Sequence, residues 1–453
     1  MTGWAGRRVV VAGAGTSGVA AARALLRCGA AVTVVDRSRS ERTDELAAAG
    51  AALALGSDLP PAGTELVVTS PGWRPDAPLL VAAAAAGIEV IGEVELAWRL
   101  RGPGAAPWLA LTGTNGKTTT VRMLESILCA AGRRAVATGN VGLPVVDAVT
   151  ADPPYDLLAV ELSSFQLHWA LSVRPAAAAL LNLAADHLDW HGGVAAYVAA
   201  KERIWAGTRT VAVGNADDPE VAARLARAPG RQVSFTLAEP GPDQLGVAGG
   251  ALLDRAFGGG ELAAVAQVRP AGPHNVANAL AAAALARSAG TGPAAVRAGL
   301  LAFTPDRHRN EPVAEVAGVA YVDDSKATNP HAAAASLAAY APVVWIAGGL
   351  LKGAPVDQLV AAVADRLAGA VLLGADRAAL AAAIARHAPH LPVVEVDRTD
   401  DGAMSEVVRA AAGLARAGDT VLLAPAAASM DMFRDYGARG DAFAAAVRAL
   451  VAA

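Results

Sequence analysis

A short glycine-rich segment, a quarter of the way along the chain, constrains the fold more than any other feature. Residues 112–119 read Thr-Gly-Thr-Asn-Gly-Lys-Thr-Thr, after the apolar run 108–111 and before an apolar helical pattern. This order predicts a strand, a loop whose backbone N–H groups turn toward phosphate oxygens, and a helix whose N-terminus adds partial positive charge. The commonest loop of this kind has glycine where this chain has Leu111. The segment predicts a nucleoside-triphosphate site, in which Lys117 reaches the β- and γ-phosphates and the Thr118 hydroxyl faces Mg²⁺.

Size and composition favour a multidomain protein of the cytoplasm. With about 150 residues per domain as a guide, 453 residues suggest three domains. No uninterrupted apolar run reaches the roughly 20 residues of a membrane helix, and the first residues lead into a predicted strand without a signal-peptide core. The net charge is −4 without a basic stripe, so neither a membrane nor a nucleic acid is an expected partner. Cys28 and Cys129 lie in apolar helical patterns, which predicts two buried thiols. We expect a cytoplasmic monomer.

Short β-rich runs alternate with Ala- and Leu-rich helical patterns, which is typical of doubly wound α/β sheets. The predicted strands are 8–12, 31–35, 66–69, 89–91, 157–161, 177–181, 210–213, 319–322, 343–347, 370–373, 393–396 and 420–423. The glycine-rich stretch 238–262 predicts β-hairpins and turns. A Gly/Pro linker at 101–107 and a hinge at 303–306 separate the alternating regions. These breaks predict three domains, 1–102, 103–304 and 305–453.

A second glycine motif lies near the start of the chain. Residues 13–18 read Gly-Ala-Gly-Thr-Ser-Gly directly after the first predicted strand, and Asp36 follows the next strand. This spacing is the dinucleotide fingerprint of a Rossmann-like domain. A tight turn and a helix N-terminus accept any pyrophosphate, so NAD and a UDP-sugar both fit, and the glycines could also serve only close packing. The rest of the chain offers ATP chemistry and no pocket for hydride transfer, which favours the UDP-sugar.

Three further residues suit a metal site beside the phosphate loop. Glu161 ends a predicted strand, where a carboxylate can hold Mg²⁺. His187 is expected at the end of another strand, and Lys201 follows on a predicted helix. Taken singly, His187 could be a hydrogen-bonded loop histidine and Lys201 a solvated helix lysine. Together with the loop, the three residues predict a phosphate and metal constellation.

Nine segments of the chain, in their order and spacing, resemble motifs of the Mur ligase family over essentially the whole length. They are TGTNGKTT, ELSSFQL, NLAADHLDWHG, the lysine of AAKERIW, GNADDP, GPHNVANALAA, HRNEPV, DDSKATN and APAAASMDMFRDYGARGDAF. The resemblance implies three α/β domains: a Rossmann-like N-terminal domain, a central P-loop ATPase-type domain and a Rossmann-like C-terminal domain. DSKATN and the Ala-Ser-Met-Asp segment imply the branch that adds D-glutamate to UDP-N-acetylmuramoyl-L-alanine during peptidoglycan precursor synthesis.

The resemblance also implies which residues bind ATP and Mg²⁺. The ATP-binding residues would be Gly113, Thr114, Asn115, Gly116, Lys117, Thr118, Thr119, Asn275 and Asn278, with Arg309 and Asp324 at the phosphates and ribose. One Mg²⁺ would be held by Thr118 and Glu161. A second Mg²⁺ would be held by His187 and by Lys201 as a carbamate. Lys117, His187, Lys201 and Arg309 would be the catalytic residues.

Two further groups of residues are implied to bind the other substrates. The UDP group would meet Gly15, Thr16, Asp36, Arg37, Ser70 and Gly72, and the sugar side would meet Asn140, while His187 would be a further substrate-binding residue. D-Glutamate would be held by Thr328, Lys352, Ser429, Met430 and Tyr436. Two features depart from the family pattern: a Leu-Leu pair at 350–351 replaces a small or acidic pair, and Tyr436 stands where Phe is frequent.

An ATP site with two cations beside a carboxylate substrate implies acyl-phosphate chemistry, in which an amine attacks the activated carboxyl group. His187 or a nearby carboxylate is a candidate acceptor for the amine proton. Placing the three substrates on three domains implies a site that is complete only when the domains close. Two alternatives stay open: an NAD-dependent oxidoreductase, based on the first glycine motif alone, and a catalytically silent relative. The sequence does not decide between D- and L-glutamate.

Overall fold

The computed structural model describes residues 3–206 and 211–451. The chain forms two compact units, one made of residues 1–265 and 278–302 and the other of residues 266–277 and 303–453. Three β-sheets, with helices between most of the successive parallel strands, confirm the predicted α/β class. Within the described ranges, no helix combines the length and apolar character needed to cross a membrane.

The first sheet has five parallel strands in the order β3-β2-β1-β4-β5. The strands are β1 (Arg8–Ala12), β2 (Ala31–Val35), β3 (Ala52–Leu53), β4 (Leu66–Thr69) and β5 (Glu89–Gly92). The helices are α1 (Thr16–Arg27), α2 (Glu41–Ala48), α3 (Pro78–Ala85) and α4 (Glu93–Leu100). Consecutive valines of β1 are buried on both faces of the sheet, as parallel strands covered by helices require. The Rossmann-like prediction for this region is confirmed.

The second sheet has nine strands in the order β14-β13-β12-β11-β10-β9-β6-β8-β7. The strands are β6 (Trp108–Thr112), β7 (Ala135–Gly139), β8 (Leu157–Glu161), β9 (Ala177–Leu180), β10 (Val211–Asn215), β11 (Arg231–Phe235), β12 (Gln244–Ala248), β13 (Ala251–Asp254) and β14 (Glu261–Ala264). The helices are α5 (Lys117–Ala130), α6 (Val145–Val149), α7 (Ser164–His168), α8 (Leu188–His191), α9 (Val194–Glu202), α10 (Pro219–Leu225), α11 (Pro273–Ser288) and α12 (Pro293–Ala302). Strands β12 to β14 pair antiparallel, which confirms hairpins in the stretch 238–262.

The third sheet has the order β15-β16-β20-β17-β18-β19, with β15 antiparallel to β16 and the other pairs parallel. The strands are β15 (Glu311–Val316), β16 (Val319–Asp323), β17 (Val343–Gly348), β18 (Leu367–Leu373), β19 (Val393–Glu395) and β20 (Thr420–Leu423). The helices are α13 (Pro330–Leu337), α14 (Asp357–Val363), α15 (Arg377–His387), α16 (Ala403–Leu414) and α17 (Tyr436–Val451). The loops after β16, β17 and β20 leave from one edge of the sheet, because these three strands are parallel neighbours.

The structure departs from the sequence prediction at several short elements. Strands β3, β7, β11 and β15 were not predicted from the sequence. Most of them are short, alanine-rich or polar, so their β propensity is weak. Thr210, the first residue of the predicted strand 210–213, lies outside the described residues. The prediction of two buried thiols is wrong for Cys129, which is exposed in the last turn of α5, whereas Cys28 is half-buried.

Helix α4 joins the first sheet to the central sheet within one unit. The Oε1 atom of Glu93 accepts a 2.7 Å hydrogen bond from the Val146 N–H at the start of α6. Glu95 accepts bonds from the N–H and the hydroxyl of Ser172, at 2.8 and 2.5 Å. One buried apolar cluster contains residues of both regions, including Leu96 and Trp108. The two regions therefore share a core and a pair of buried carboxylates.

Glu93 should make stability depend on pH. Burial of this side chain, which is 3% exposed, raises its pKa from 4.5 to about 7. Between these values the unfolded chain loses the proton and the folded chain keeps it, so the unfolding free energy falls as pH rises, by about 3 kcal/mol in total. We expect that the unfolding free energy of Glu93→Gln does not show this fall as pH rises. Its melting temperature relative to the wild type should rise from pH 5 to pH 8, and parallel curves would contradict the assignment.

Candidate active site

The predicted strand, phosphate loop and helix are present as β6, residues 113–116 and α5. Gly116 precedes the helix with φ at 80°, a conformation that favours glycine. A Cβ atom at this position would lie 2.3 Å from Asn278 Oδ1, so Asn278 packs directly against the loop. The structure thus brings together the loop and one of the two asparagines predicted to meet the adenine.

A second segment, residues 182–184, forms hydrogen bonds with the phosphate loop. The Asn115 N–H donates to Asn182 Oδ1 at 2.8 Å, and Asn182 Nδ2 donates to the Asn115 carbonyl at 3.1 Å. The Thr114 hydroxyl accepts from the Ala184 N–H at 2.9 Å and lies 2.9 Å from the Tyr197 hydroxyl. These contacts fix the loop before any ligand arrives, which favours preorganised phosphate binding. The supporting roles of Asn182 and Tyr197 were not predicted from the sequence.

Lys117 is half-buried and lies over the loop. Its Nζ atom donates to the carbonyl oxygens of Gly113 and Thr114, at 3.0 and 2.8 Å. The ammonium group is therefore held where the phosphates of a nucleotide would sit, as the prediction requires.

Glu161 offers an oxygen suited to a cation. It ends β8 as predicted and is 1% exposed. Its Oε1 atom accepts from Asn140 Nδ2 at 2.9 Å, whereas its buried Oε2 atom has no hydrogen-bond partner among the residues that the structure describes. An unpaired buried carboxylate oxygen is costly unless a cation binds it, and hard divalent cations prefer oxygen ligands. The site therefore fits Mg²⁺. The hydrogen bond from Asn140 to Glu161 also places Asn140 at the phosphate end of the site.

Lys201 is 2% exposed, so the alternative of a solvated helix lysine is wrong. Its Nζ atom donates to the Gly113 carbonyl at 2.7 Å and lies 3.5 Å from the Thr112 hydroxyl. Burial, and then the charge of Lys117, hold the Lys201 pKa well below its usual value of 10.5. A buried lysine with a lowered pKa presents a neutral, nucleophilic amine.

The expected position of His187 at a strand end is wrong, because β9 ends at Leu180. His187 instead precedes α8 in the left-handed region, with φ at 51°. Its ring centroid lies 4.8 Å from that of Phe165. Burial, and the charges of Lys117 and Lys201, lower its pKa, whereas Asp186 opposes the shift. The imidazole therefore shares one electrostatic environment with both lysines, and this environment favours its neutral form.

The predicted UDP residues lie at the carboxyl edge of the first sheet. A Cβ at Gly18 would lie 1.8 Å from the Gly13 carbonyl oxygen, so the turn needs glycine there. Asp36 Oδ2 accepts from the Ala14 N–H at 2.6 Å, and Asp36 Oδ1 accepts from the Arg37 N–H at 2.6 Å. The Ser70 hydroxyl donates to the Gly13 carbonyl at 3.3 Å. The loops after β1, β2 and β4, which carry Gly15, Thr16, Asp36, Arg37, Ser70 and Gly72, thus form one edge.

The remaining ATP residues belong to the second unit. Asn275 Nδ2 donates to the Ala271 carbonyl at 3.2 Å. Burial raises the pKa of Asp324 to about 6, while the charge of Arg309 acts in the opposite direction. Asp324 Oδ1 accepts from the Asn310 N–H at 3.3 Å. Arg309 and Asp324 are therefore electrostatic neighbours within this unit, as a shared role at one nucleotide would require.

The predicted glutamate residues lie at one edge of the third sheet, four of them on loops and Tyr436 at the start of α17. They are Thr328 after β16, Lys352 after β17, and Ser429, Met430 and Tyr436 after β20. Ser429 is 3% exposed, whereas Met430 is 70% exposed. Lys326 was not predicted, yet its Nζ atom lies 3.7 Å from the ring centroid of Tyr436. The rarity of lysine could have indicated it, because only four of the 38 lysine and arginine residues are lysines, and the other three are predicted site residues.

Three family models match the chain. The Mur ligase MurD-like N-terminal domain matches residues 7–92, the Mur ligase middle domain matches residues 111–286, and the Mur ligase glutamate ligase domain matches residues 308–427. A solved structure of a pseudomurein peptide ligase type C from Methanothermus fervidus is similar in fold, with a TM-score of 0.61 and 19% identity, covering 98% of this chain and 100% of that chain.

Two relatives named UDP-N-acetylmuramoylalanine–D-glutamate ligase match nearly every part of the chain. The protein of Streptomyces avermitilis is 60% identical over 467 residues, which cover 99% of this chain and 100% of the relative. The protein of Thermobifida fusca is 62% identical over 461 residues, which cover 98% of this chain and 99% of the relative. Identity at this level along the full length shows that the chain belongs to the Mur ligase family, in the branch of the UDP-N-acetylmuramoylalanine–D-glutamate ligases.

Proposed function

We propose that this protein adds D-glutamate to UDP-N-acetylmuramoyl-L-alanine, using ATP, through an acyl-phosphate intermediate. As a Mur ligase it is an ATP-dependent ligase that forms an amide bond. The observation that carries the proposal is the position of buried Lys201 against the phosphate loop, together with the Glu161 Oε2 atom, which has no hydrogen-bond partner among the described residues. The names of the two relatives support the choice of precursor and amino acid.

In the first step the precursor carboxylate attacks the γ-phosphorus of ATP, and ADP leaves. Lys117 and the loop N–H groups would bind the phosphates and stabilise the charge that develops on them. Thr118 and Glu161 would hold one Mg²⁺, and His187 and a carbamylated Lys201 a second. When bound, these ions neutralise phosphate charge and orient the reacting oxygens. Arg309 would add a further positive charge at the phosphates.

In the second step the amine of D-glutamate attacks the acyl phosphate, and inorganic phosphate leaves. The amine must be neutral to attack, so a group near it must accept a proton. With the lone pair of the His187 imidazole bound to Mg²⁺, a nearby carboxylate would accept this proton. Exclusion of water would protect the acyl phosphate from hydrolysis until the amine arrives.

Phosphate release tests the proposed function. We expect release only when ATP, UDP-N-acetylmuramoyl-L-alanine and D-glutamate are all present, and little or none when L-glutamate, D-alanine or L-lysine replaces D-glutamate. Release that is equal for several amino acids would contradict the proposed substrate. No release with any amino acid would favour a silent relative, although Lys117, Glu161, His187 and Lys201 are all present.

Several finer features belong to the same proposal. We assign the three domains to residues 1–102, 103–304 and 305–453, and the binding residues as predicted from the sequence. A cytoplasmic location follows from the use of ATP and a nucleotide-linked precursor. A monomer is sufficient, because each predicted substrate contact comes from one chain.

Lys352→Ala should raise the KM for D-glutamate. Lys352 is an exposed cation on the loop after β17, suited to a side-chain carboxylate. Loss of one charge-assisted contact costs roughly 1.5 to 3 kcal/mol, or about 10- to 100-fold in KM. The KM for ATP should stay within about twofold, which serves as the internal control. An unchanged KM for D-glutamate would remove Lys352 from the pocket.

The UDP precursor, and not NAD, should stabilise the protein against heat. A ligand present at 100 times its Kd adds about 2.7 kcal/mol to the unfolding free energy by mass action. We expect UDP-N-acetylmuramoyl-L-alanine to raise the melting temperature by several degrees, and NAD at the same concentration to leave it unchanged. Stabilisation by NAD alone would reverse the assignment of residues 13–18.

A further inference from the structure

Arg439 is a fully buried arginine in the first turn of α17, and it bonds to three separate loops. The residue is 1% exposed. The Nε atom donates to the Ser325 hydroxyl at 3.0 Å, and Nη2 donates to the Ser325 carbonyl at 2.9 Å. Nη1 donates to the carbonyls of Ala427 and Gly348, at 3.1 and 3.4 Å. One guanidinium group therefore connects the loops that follow β16, β17 and β20.

These three loops are the ones that carry the proposed glutamate contacts. Thr328 lies three residues after Ser325, Lys352 lies four residues after Gly348, and Ser429 lies two residues after Ala427. Tyr436 is connected as well, because the Ser325 hydroxyl donates to its carbonyl at 2.7 Å. Arg439 and Ser325 thus link the segments that carry the proposed glutamate contacts.

Close backbone packing keeps the guanidinium in this position. A Cβ atom at Gly349 would lie 2.2 Å from the Ala428 carbonyl oxygen and 3.3 Å from Arg439 Nη1. A Cβ atom at Gly440 would lie 2.1 Å from His308 Nδ1. Neither position has room for a side chain. The loops and the start of α17 therefore have little freedom to reorganise around a smaller residue.

The hydrogen-bond partners of Arg439 are neutral. All four bonds go to carbonyl or hydroxyl oxygens, although a buried guanidinium is most stable beside a carboxylate. The acids whose charges act on it have other partners: Asp323 Oδ2 lies 2.7 Å from His308 Nδ1, and Asp431 Oδ2 accepts from the Ala375 N–H at 2.8 Å. Asp431 Oδ1 has no hydrogen-bond partner among the described residues, so nearby carboxylates act on Arg439 through their charge and not through a direct ion pair.

We propose that Arg439 is a positioning residue for D-glutamate, which orders the three segments that carry the proposed glutamate contacts. This inference rests on the proposed function. Arg439 needs no contact with the amino acid, since it acts through Thr328, Lys352, Ser429 and Tyr436. Its loss should weaken glutamate binding much more than the binding of ATP or the precursor.

Steady-state kinetics of Arg439→Lys and Ser325→Ala test the proposal. Lysine keeps the charge but has one nitrogen, which cannot reach three loops, so we expect the KM for D-glutamate to rise by about 30-fold or more. Ser325→Ala removes one acceptor and the link to Tyr436, and should raise the same KM by about fivefold. The KM values for ATP and for the precursor should stay within about twofold in both variants.

Arg287→Lys is the matched control. Arg287 is a largely buried arginine of the other unit, with 9% of its side chain exposed, and it bonds to Asp254 and to the Thr291 carbonyl, both at 2.7 Å. Its replacement should lower the melting temperature and leave the KM for D-glutamate unchanged. This control separates the general effect of replacing a buried arginine from the specific effect of replacing Arg439.

Equal rises in all three KM values, or an unchanged KM for D-glutamate in both variants, would overturn the proposal. If Arg439→Lys gives no folded protein, Ser325→Ala decides by the same criterion. The wild-type assay tests the proposed function separately. If that function is wrong, the wild type releases no phosphate in response to D-glutamate.

Discussion

Lys201→Ala should abolish turnover, with kcat reduced by about 10³-fold or more, equivalent to about 4 kcal/mol of transition-state stabilisation. The side chain is 2% exposed and bonds to the Gly113 carbonyl of the phosphate loop. An ammonium group there would repel Mg²⁺, whereas addition of CO₂ to the neutral amine gives a carbamate whose oxygen can bind the ion. Steady-state phosphate release measures the effect.

Chemical rescue separates a carbamate from an ordinary structural lysine. We expect acetate or propionate to restore part of the activity of Lys201→Ala, because a short carboxylate can occupy the vacated space. Lys201→Arg should be rescued less, since its side chain fills that space. Lys117→Ala, which removes the lysine that directly follows the phosphate loop, should be equally inactive and not rescued. Ordinary turnover of Lys201→Ala in carboxylate-free buffer would refute the carbamate.

Glu161→Gln should lower kcat by about 100-fold, or about 3 kcal/mol, and raise the Mg²⁺ concentration needed for half-maximal activity. The buried Oε2 atom has no hydrogen-bond partner among the described residues, so its charge is available to a cation. Glutamine keeps the shape and can still accept from Asn140, but it removes the charge. A Mg²⁺ titration of phosphate release measures both effects, and EDTA should stop turnover of the wild type.

Glu125→Gln is the control for this prediction. Glu125 is a partly buried glutamate of the same region, which accepts from the Ala137 N–H at 2.8 Å and pairs with Arg122 at 2.9 Å. Its replacement should leave the Mg²⁺ requirement unchanged. The same Mg²⁺ requirement in Glu161→Gln and the wild type would place the metal elsewhere.

The sequence predicted the sheets and the main site because both depend on local signals. Apolar runs of β1, β6 and β8 are long enough to be recognised as buried strands, and the loops after β1 and β6 carry the glycine motifs. The sequence therefore predicted correctly that Lys117 follows β6 and that Glu161 ends β8. The sequence also indicated that the chain continues the α/β pattern to its end.

Features that depend on tertiary packing were not predicted. His187 lies seven residues after β9, in a left-handed conformation that no local pattern specifies. Tyr197 and Asn182 act through contacts with the loop, and Arg439 acts through contacts with three loops distant in sequence. The burial of Lys201 also comes from tertiary packing, because helix α9 alone does not show which face is covered.

Positional oxygen labelling tests the central claim, activation of the precursor carboxylate by phosphorylation. The precursor is prepared with ¹⁸O at both carboxylate oxygens and is converted with ATP and D-glutamate. The masses of the products are then measured by mass spectrometry. An acyl phosphate transfers one labelled oxygen to inorganic phosphate and leaves the other in the new amide. We predict singly labelled phosphate in proportion to product. Unlabelled phosphate, or labelled AMP from an adenylate, would contradict the account.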